Sequence, residues 1–347
     1  MKALVSHGPN QPFSLETVDD PKPEKGEAVA KILACGAGLT VQHVKAGRTP
    51  IPFPRIMGHE IAAEIVELNG DCGGLSIGMP VTAYFYLTCG HCKWCLINRQ
   101  TLCENFGGYV GRACDGGYAE YIKLPAKNFV PIPETLDIYK NPAEIGVICD
   151  AIATPYKVLR RGRIDPLERV AVFGAGGGLG IQMLKMVRWA NCHVTAVEVD
   201  TNKFQACLEH GADFCVDANT NDAHEALMDA SGGGFDVVID FVSSTKSLEM
   251  GVASLGRGGR LITLGGGGGA DSEFKLNGMS LLSKEIEVMG SRYCSYQEVL
   301  ESLQLVGEQA HKGLMPLVTR TSGFEGLEDI HNDVEHSRIT GRAALVL

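Results

Sequence analysis

Long hydrophobic runs are missing from this 347-residue chain. No stretch of about 18 consecutive apolar residues occurs, so no membrane-spanning helix is expected. A basic excess is missing as well: 31 Lys and Arg face 41 Asp and Glu, and the net charge of −10 argues against nucleic acid or an anionic membrane as a partner. Aromatic residues make up only 7% of the chain, whereas its 43 glycines suit an α/β protein with many tight turns.

A secretion signal is not apparent either, because the sequence reaches Gly8 and Pro9 too soon to form the apolar core of a signal peptide. We therefore expect a cytoplasmic, reducing environment. There the 12 cysteines would stay reduced, as metal ligands or as small buried hydrophobes. The length predicts two domains.

Four of the cysteines are concentrated in one short segment. Residues 89–103 read CGHCKWCLINRQTLC, a C-x2-C-x2-C-x7-C spacing. Four thiolates so close together can complete a tetrahedral shell around one Zn²⁺ and leave no position open for substrate. We predict a structural zinc site at Cys89, Cys92, Cys95 and Cys103. Scattered cysteines or two disulfides are the alternative, which the missing secretion signal disfavours.

The pattern of predicted secondary structure changes near residue 154. Before it, short apolar runs at 28–33, 61–66, 80–84 and 118–122 alternate with Gly and Pro, which predicts a barrel-like β lobe. After it, predicted strands and helices alternate, which indicates a doubly wound parallel sheet. The predicted strands are 170–173, 193–198, 214–216, 236–241, 260–264 and 287–290, and the predicted helices are 155–161, 181–190, 203–210, 224–230 and 248–255. A helix over 296–308 then leaves this sheet, and the C-terminal strand is expected to return to the first lobe.

A glycine-rich loop, GAGGGLG at 174–180, follows a predicted buried strand and opens a helix. Such a loop lets the backbone and the positive end of the helix dipole approach a pyrophosphate, although its spacing is one residue longer than the usual fingerprint. Glu198 ends the next strand, where a carboxylate accepts bonds from the adenosine ribose and repels a 2′-phosphate, which favours NAD over NADP. The predicted cofactor-binding residues here are Gly174, Gly176, Gly177, Gly178, Leu179, Glu198 and Lys203, the nearest basic residue. The alternative is a purely structural glycine turn.

Together these features resemble the medium-chain dehydrogenase/reductase superfamily, and within it the zinc-containing alcohol dehydrogenases. The motifs that carry the resemblance are Gly58-His59-Glu60, the four-cysteine lobe, DGGYAE at 115–120, the glycine loop and Gly341-Arg342-Ala343. The resemblance implies a GroES-like β-barrel catalytic domain over 1–152 and 293–347, with the zinc lobe at 89–103. It also implies an NAD-binding Rossmann domain over 153–292, and homodimers or homotetramers.

The resemblance further implies a catalytic zinc held by His59 and Asp150, with Glu60 as a neighbouring carboxylate that can exchange onto the metal. Two family positions differ in this chain: the usual cysteine ligand is Gly38, and the supporting acid is Val41. The site is therefore atypical.

Two cysteines are alternatives for this metal shell. Cys149 competes with Asp150, but it is one residue out of register and in a strand would point to the other face. Cys35 could replace the missing thiolate, but it lies upstream of the ligand position and is interpreted as a small buried hydrophobe.

Other roles also follow from the resemblance. Thr40 and His43 match a proton relay, and His43 suits it because the pKa of histidine lies near neutrality. Tyr84 and Phe85 would either wall the substrate cleft or pack in the core. Further predicted contacts to the cofactor are Phe241, Val242, Gly265, Gly266 and Arg342.

These features predict an NAD-dependent oxidoreductase that interconverts an alcohol and its aldehyde or ketone by hydride transfer. Zinc on His59 and Asp150 would act as a Lewis acid on the substrate oxygen. One alternative, motivated by Gly38 and Val41, is a reductase of an activated C=C, imine or carbonyl group without catalytic zinc, with Thr40 or His59 as the polar donor. The second alternative is a non-catalytic NAD-binding scaffold.

Overall fold

The computed structural model describes residues 1–265 and 271–347. The chain divides into two compact units. The first unit comprises Met1–Ala153, Cys294–His311 and Met315–Leu347, and the second comprises Thr154–Tyr293 and Lys312–Leu314. The predicted domain ranges put the two main boundaries between the domains one residue earlier in the chain than the boundaries between these units.

The strands of the described residues form three sheets. In chain order they are β1 (Lys2–Ser6), β2 (Ser14–Thr17), β3 (Glu27–Gly36), β4 (Arg55–Ile56), β5 (Ile61–Asn69), β6 (Pro80–Ala83), β7 (Tyr121–Pro125), β8 (Phe129–Pro131), β9 (Arg169–Phe173), β10 (His193–Glu198), β11 (Phe214–Asp217), β12 (Phe235–Asp240), β13 (Leu255–Thr263), β14 (Glu287–Gly290), β15 (Val318–Ser322) and β16 (Arg342–Val346).

The helices are mostly short. They are α1 (Leu39–Lys45), α2 (Lys93–Leu96), α3 (Pro142–Gly146), α4 (Ala153–Arg161), α5 (Gly180–Trp189), α6 (Phe204–Glu209), α7 (Ala223–Ser231), α8 (Thr245–Ala253), α9 (Gly278–Lys284), α10 (Tyr296–Gln309) and α11 (Leu327–Glu335). A π-helical turn, Ile148–Ile152, precedes α4. Within the described ranges, no helix combines the length and the apolar character needed to cross a bilayer.

Strand β3 organises the first unit. It pairs antiparallel with β5, β7 and β16, and its register with β5 shifts between Val29 and Ala30 and again between Ile32 and Ala34. Such irregularities bend a strand, which lets one strand contact several neighbours in a curved β layer. Because β16 pairs with the end of β3, the C-terminal strand lies beside the start of α1, where the amide of Ala37 donates to the carbonyl of Ala343 at 2.8 Å.

The second unit is a parallel sheet with strand order β11-β10-β9-β12-β13-β14. Its central strands are continuous apolar runs, as expected for strands covered on both faces, and Val172 and Ile239 are fully buried. The strand order reverses between β9 and β12, where ligands bind at the carboxyl ends of the strands in open α/β sheets. The predicted combination of a β-rich unit with a doubly wound parallel sheet is confirmed.

Two local predictions were wrong. The strand expected over 118–122 begins only at Tyr121, and Ala119 makes an isolated bridge to Ala3. The strand geometry used to set Cys149 apart from Asp150 is also wrong, because both residues lie in the π-helical turn. Both errors come from short buried apolar runs, which periodicity alone cannot assign to a strand or a helix.

Candidate active site

The four cysteines of the 89–103 lobe converge on one point around the short helix α2. Four of the distances between their sulfur atoms are 3.9 Å (Cys89 to Cys95), 3.6 Å (Cys92 to Cys95), 4.0 Å (Cys92 to Cys103) and 3.6 Å (Cys103 to Cys89). Disulfide sulfurs would be about 2.0 Å apart. A tetrahedral zinc shell with Zn–S bonds of about 2.3 Å has sulfurs about 3.8 Å apart.

These sulfurs therefore fit a structural zinc ion, and the disulfide alternative does not fit. Hydrogen bonds, the strongest from the backbone N–H of His91, lower the pKa of the Cys89 thiol to about 5, whereas burial raises the pKa of Cys95 to about 12. The imidazole of His91 is exposed and its Nδ1 lies 3.1 Å from the carbonyl oxygen of Cys89, so the four thiols alone form the shell.

The glycine loop begins directly at the carboxyl end of β9. Gly174 has a φ of +71°, a left-handed conformation that a residue with a side chain rarely adopts, and its carbonyl accepts from the amide of Gly177 at 3.1 Å. The turn leads into α5, whose first N–H groups have no partner within the helix. Gly178 and Leu179 lie half-buried at this helix start.

Glu198 is tied to this loop from the end of β10. One carboxylate oxygen accepts from the amide of Gly176 at 2.9 Å, and the other accepts from the amides of Val199 at 2.8 Å and Asp200 at 3.3 Å. Lys203 is buried against the loop, since a Cβ on Gly176 would lie 2.6 Å from its Cδ. The loop and its anchored carboxylate fit the pyrophosphate and adenosine ribose of a dinucleotide.

A second carboxylate, Asp240, shapes the loop after β12, and sequence reasoning missed it. Asp240 is fully buried and accepts from the amides of Val242 at 2.8 Å and Ser243 at 2.9 Å. Ser243 Oγ in turn accepts from the amide of Gly265 at 2.9 Å. The predicted contact residues Phe241, Val242 and Gly265 are thus held in one loop cluster, and Val242 is exposed.

One further predicted contact, Gly266, lies outside the described residues. The signal that could have identified Asp240 is an acid that ends a buried apolar strand directly before a turn, which is the same context as that of Glu198.

The predicted metal residues of the first unit do come together. His59 and Glu60 immediately precede β5, Asp150 lies in the π-helical turn, and all three are buried. One ligand atom from each lies within 4.8 Å of the others, and His59 Nε2 is 3.8 Å from Asp150 Oδ2. Burial raises the pKa of Glu60, against the opposing effect of Arg342.

Neither alternative cysteine belongs to this group. Cys149 Sγ faces the carbonyl oxygens of Gly146 at 3.5 Å and His59 at 3.9 Å. Cys35 Sγ lies 3.8 Å from the carbonyl oxygen of Gly36. Burial raises the pKa of both thiols, so both are neutral hydrophobes at neutral pH.

Arg342 lies at the start of β16, and its contacts within this site were not predicted from the sequence. It is buried, and its Nη2 lies 3.1 Å from Asp150 Oδ2 and 3.3 Å from Glu60 Oε1. Its predicted contact with the cofactor pyrophosphate stays a prediction. The sequence signal for the observed contact is Gly38, because a Cβ there would lie 2.5 Å from Arg342 Nη1.

The contacts of Arg342 with Asp150 and Glu60 show whether these residues fit the predicted catalytic zinc. His59 and the two carboxylates are close enough to one another to share an ion. However, both carboxylates already face the guanidinium of Arg342, and no side chain at position 38 completes the shell. A tetrahedral zinc ion would have to displace a buried arginine, so the residues as arranged do not fit a resident catalytic zinc.

The predicted relay residues lie one turn apart on α1, with Thr40 and His43 both half-buried. Arg48 donates from Nε to His43 Nδ1 at 2.9 Å and makes two bonds of 2.7 Å to the carboxylate of Glu335. Burial lowers the pKa of His43, and the charge of Arg48 lowers it further. Sequence reasoning missed Arg48 and Glu335.

Phe85 and Tyr84 are both buried, and the ring of Phe85 lies 4.7 Å from that of His59. His59 Nε2 has no hydrogen-bond partner among the described residues. A buried polar atom without a partner is costly unless a ligand supplies one. His59 Nε2 is therefore a buried atom of this site that is free to hydrogen-bond a ligand.

Comparisons with known proteins find similar alcohol dehydrogenases along the whole chain. Residues 24–134 match the family model described as the alcohol dehydrogenase GroES-like domain, and residues 178–308 match the zinc-binding dehydrogenase model. An alcohol dehydrogenase of Geobacillus stearothermophilus is 31% identical over 352 residues, which cover 100% of this chain and 99% of the relative. An NAD-dependent alcohol dehydrogenase of Sulfolobus acidocaldarius is 28% identical over 359 residues, which cover 99% of each. The crystal structure of the alcohol dehydrogenase from Aeropyrum pernix matches with a TM-score of 0.88 at 28% identity, over 100% of both chains.

Proposed function

We propose that this chain, which belongs to the zinc-containing alcohol dehydrogenase family, binds NAD(H) in its second unit and uses His59, Thr40 and His43 to interconvert an alcohol and its aldehyde or ketone. The predicted family and the predicted class of enzyme, an NAD-dependent alcohol dehydrogenase-type oxidoreductase, are confirmed by the matches above. The residue roles are our proposal.

The observation that carries the proposed cofactor is the bond between Glu198 and Gly176. It holds a carboxylate beside the turn of the glycine loop, where it would accept bonds from the ribose hydroxyls of NAD(H) and repel the extra phosphate of NADP(H). When bound, the nicotinamide ring supplies or accepts the hydride. Phe241, Val242 and Gly265 are the proposed neighbours of that ring, and Arg342 and Gly266 stay predicted contacts only.

The proposed substrate contact is His59. Its Nε2–H would donate to the substrate oxygen, because this atom makes no hydrogen bond within the described chain and its nearest charged neighbour, Asp150 Oδ2, is 3.8 Å away. Glu60, the next residue, is buried, and its carboxylate lies 3.3 Å from Nη2 of Arg342. A preorganised donor in a water-poor pocket stabilises the negative charge that develops on a carbonyl oxygen during reduction.

Thr40 and His43 are the proposed path for the alcohol proton. Thr40 Oγ1 would pass the proton toward His43, which lies one turn further along α1. Replacing His43 by Ala should lower activity near neutral pH more than in alkaline buffer, because hydroxide then replaces the relay. The same pH profile in the variant and the wild type would rule out the relay.

The proposed function is tested by turnover of a panel of alcohols, aldehydes and ketones with NAD⁺ or NADH. We expect activity in the wild type and a loss of roughly 100-fold or more in kcat/KM for His59→Ala. The matched control is His7→Ala, an exposed histidine bonded to Glu16. No turnover of any compound by a chain that binds NAD(H) would favour the non-catalytic scaffold instead.

A second candidate is favoured by the pairing of Arg342 with the carboxylates. A site that polarises its substrate by hydrogen bonding suits acceptors that are already electrophilic, such as an activated C=C, imine or carbonyl group. Turnover of enones, enals or imines with NADH, without oxidation of simple alcohols, would identify this activity.

We also propose one structural zinc ion per chain in the cysteine lobe, a cytoplasmic location, a small-molecule substrate and a homodimer or homotetramer. The support for association is that, among the described residues, β14 is the last strand at one end of the parallel sheet, and that Met279 and Leu282 of α9 are exposed. Sedimentation or light scattering would distinguish the two assemblies from a monomer.

A further inference from the structure

The backbone geometry at position 38 does not require a glycine. The φ of −103° and ψ of 165° of Gly38 are ordinary extended values that any residue adopts. The space around it is the constraint: a Cβ would lie 2.5 Å from Arg342 Nη1 and 2.9 Å from Glu60 Oε1. Contacts this short require the neighbouring group to move. The room that a side chain at position 38 would need is therefore already taken by a guanidinium.

The guanidinium has a clear electrostatic role there. Asp150 and Glu60 are both buried, and a buried carboxylate is expensive unless it is paired. Arg342 supplies a permanent positive charge between them, at 3.1 Å and 3.3 Å. A zinc ion would need the same oxygen atoms for the same purpose.

We propose that Arg342, admitted by Gly38, is the fixed cation of this site in place of a catalytic metal ion. Position 38 and position 342 then form a matched pair: without a side chain at position 38, the arginine reaches the carboxylates, and the reaction proceeds by hydrogen bonding without a metal. The inference uses the same site as the proposed function, but its test reads metal content and does not depend on turnover.

The first test is zinc per chain in the purified wild type after equilibration with ZnCl2 and removal of unbound metal. We expect one equivalent, in the cysteine lobe. Two equivalents, with the second lost in Asp150→Asn, would overturn the inference. The zinc of the lobe serves as an internal control for folding in every variant.

The second test restores the metal shell. In Gly38→Cys/Arg342→Ala, a thiolate joins His59 and Asp150, and the competing cation is gone, so we expect a second equivalent of zinc or cobalt. Gly38→Ser/Arg342→Ala is the matched control: it also lacks the arginine, but it offers no thiolate at position 38, so we expect it to bind one equivalent. A Gly38→Cys/Arg342→Ala variant that keeps its lobe zinc but gains no second metal contradicts the inference.

The two failures can be told apart. A wild type with one zinc equivalent and no turnover of alcohols or carbonyl compounds refutes the proposed function and leaves the inference intact. A wild type that binds two zinc equivalents and turns over alcohols or carbonyl compounds refutes the inference and leaves the proposed activity intact.

Discussion

The Nε–H of Arg48 donates a hydrogen bond of 2.9 Å to Nδ1 of His43. Arginine has no acceptor, so Nδ1 must be the acceptor, and the proton of the neutral imidazole is on Nε2. To take up a second proton, His43 would have to use Nδ1 and break this bond. Arg48 therefore fixes both the tautomer and the charge of the proposed relay residue.

Removing Arg48 should raise the pKa of His43. Burial lowers this pKa first, and the charges of Arg48 and Arg112 lower it further, whereas Glu335 raises it. In Arg48→Gln the positive charge disappears and Glu335 loses its partner, and both changes favour the imidazolium. We expect the titration midpoint of His43 in an NMR experiment to move up toward the ordinary value, about 6.5.

The same variant should shift the pH dependence of alcohol oxidation. A protonated His43 cannot accept the alcohol proton, so the acid limb of the kcat/KM profile should move to higher pH. Arg338→Gln, which removes a surface arginine bonded to Asp333, is the control and should leave the profile unchanged. An Arg48→Gln profile that overlays that of the wild type would show that Arg48 does not tune the relay.

Changing Glu198 should weaken the preference for NAD over NADP. Glu198→Gln keeps an oxygen that can accept from Gly176, so the loop is preserved while the negative charge is removed. We expect the ratio of kcat/KM for NAD⁺ to that for NADP⁺ to fall roughly 10- to 100-fold, as for the loss of hydrogen bonds to a charged group. Asp200→Asn is the control, since its carboxylate accepts from Asn202. An equal change in both variants would contradict a specific role for Glu198.

The cysteine lobe should lose its metal when one ligand is removed. Cys95→Ser leaves three thiolates and a weakly held ion, so we expect zinc per chain to fall by about one equivalent. We also expect the thermal midpoint of unfolding to drop, because metal binding contributes folding free energy. Cys114→Ser, in the same unit but outside the lobe, should keep its zinc. Retention of zinc in Cys95→Ser would exclude the four-sulfur shell.

The elements of the second unit were the easiest to predict from the sequence. Strands such as β9 and β10 are buried on both faces, so they appear as apolar runs whose ends are marked by glycine or acidic residues. Glu198 could be identified for the same reason. The turn at Asp150 was harder, because five buried residues can form a strand or a helical turn with equal ease.

The contacts of Arg342 could not be predicted at all. Arg342 and Asp150 are 192 positions apart, Glu60 is further still, and the contacts exist only because β16 pairs with the end of β3. Sequence analysis identified the missing ligand at Gly38 but not the group that takes up its space. Local patterns specify which residues carry chemistry, whereas long-range strand pairing decides which of them meet.

Stability of the first unit should depend on the protonation of His331. This histidine of α11 is fully buried, its Nε2 lies 2.9 Å from the hydroxyl of Tyr118, and burial lowers its pKa to about 3. In the unfolded chain its pKa is about 6.5. Between these values the unfolded state binds a proton that the folded state does not, so stability is lost as the pH falls from about 6.5 toward 3, by at most about 1.4 kcal/mol per pH unit.

In His331→Gln this contribution disappears, because glutamine does not titrate. The difference in unfolding free energy between wild type and variant, measured by urea denaturation from pH 7 to pH 5, should therefore narrow as the pH falls. His336→Gln, at the exposed end of the same helix, is the control and should keep the pH dependence of the wild type. A constant difference between wild type and His331→Gln would mean that His331 does not stay neutral in the folded state.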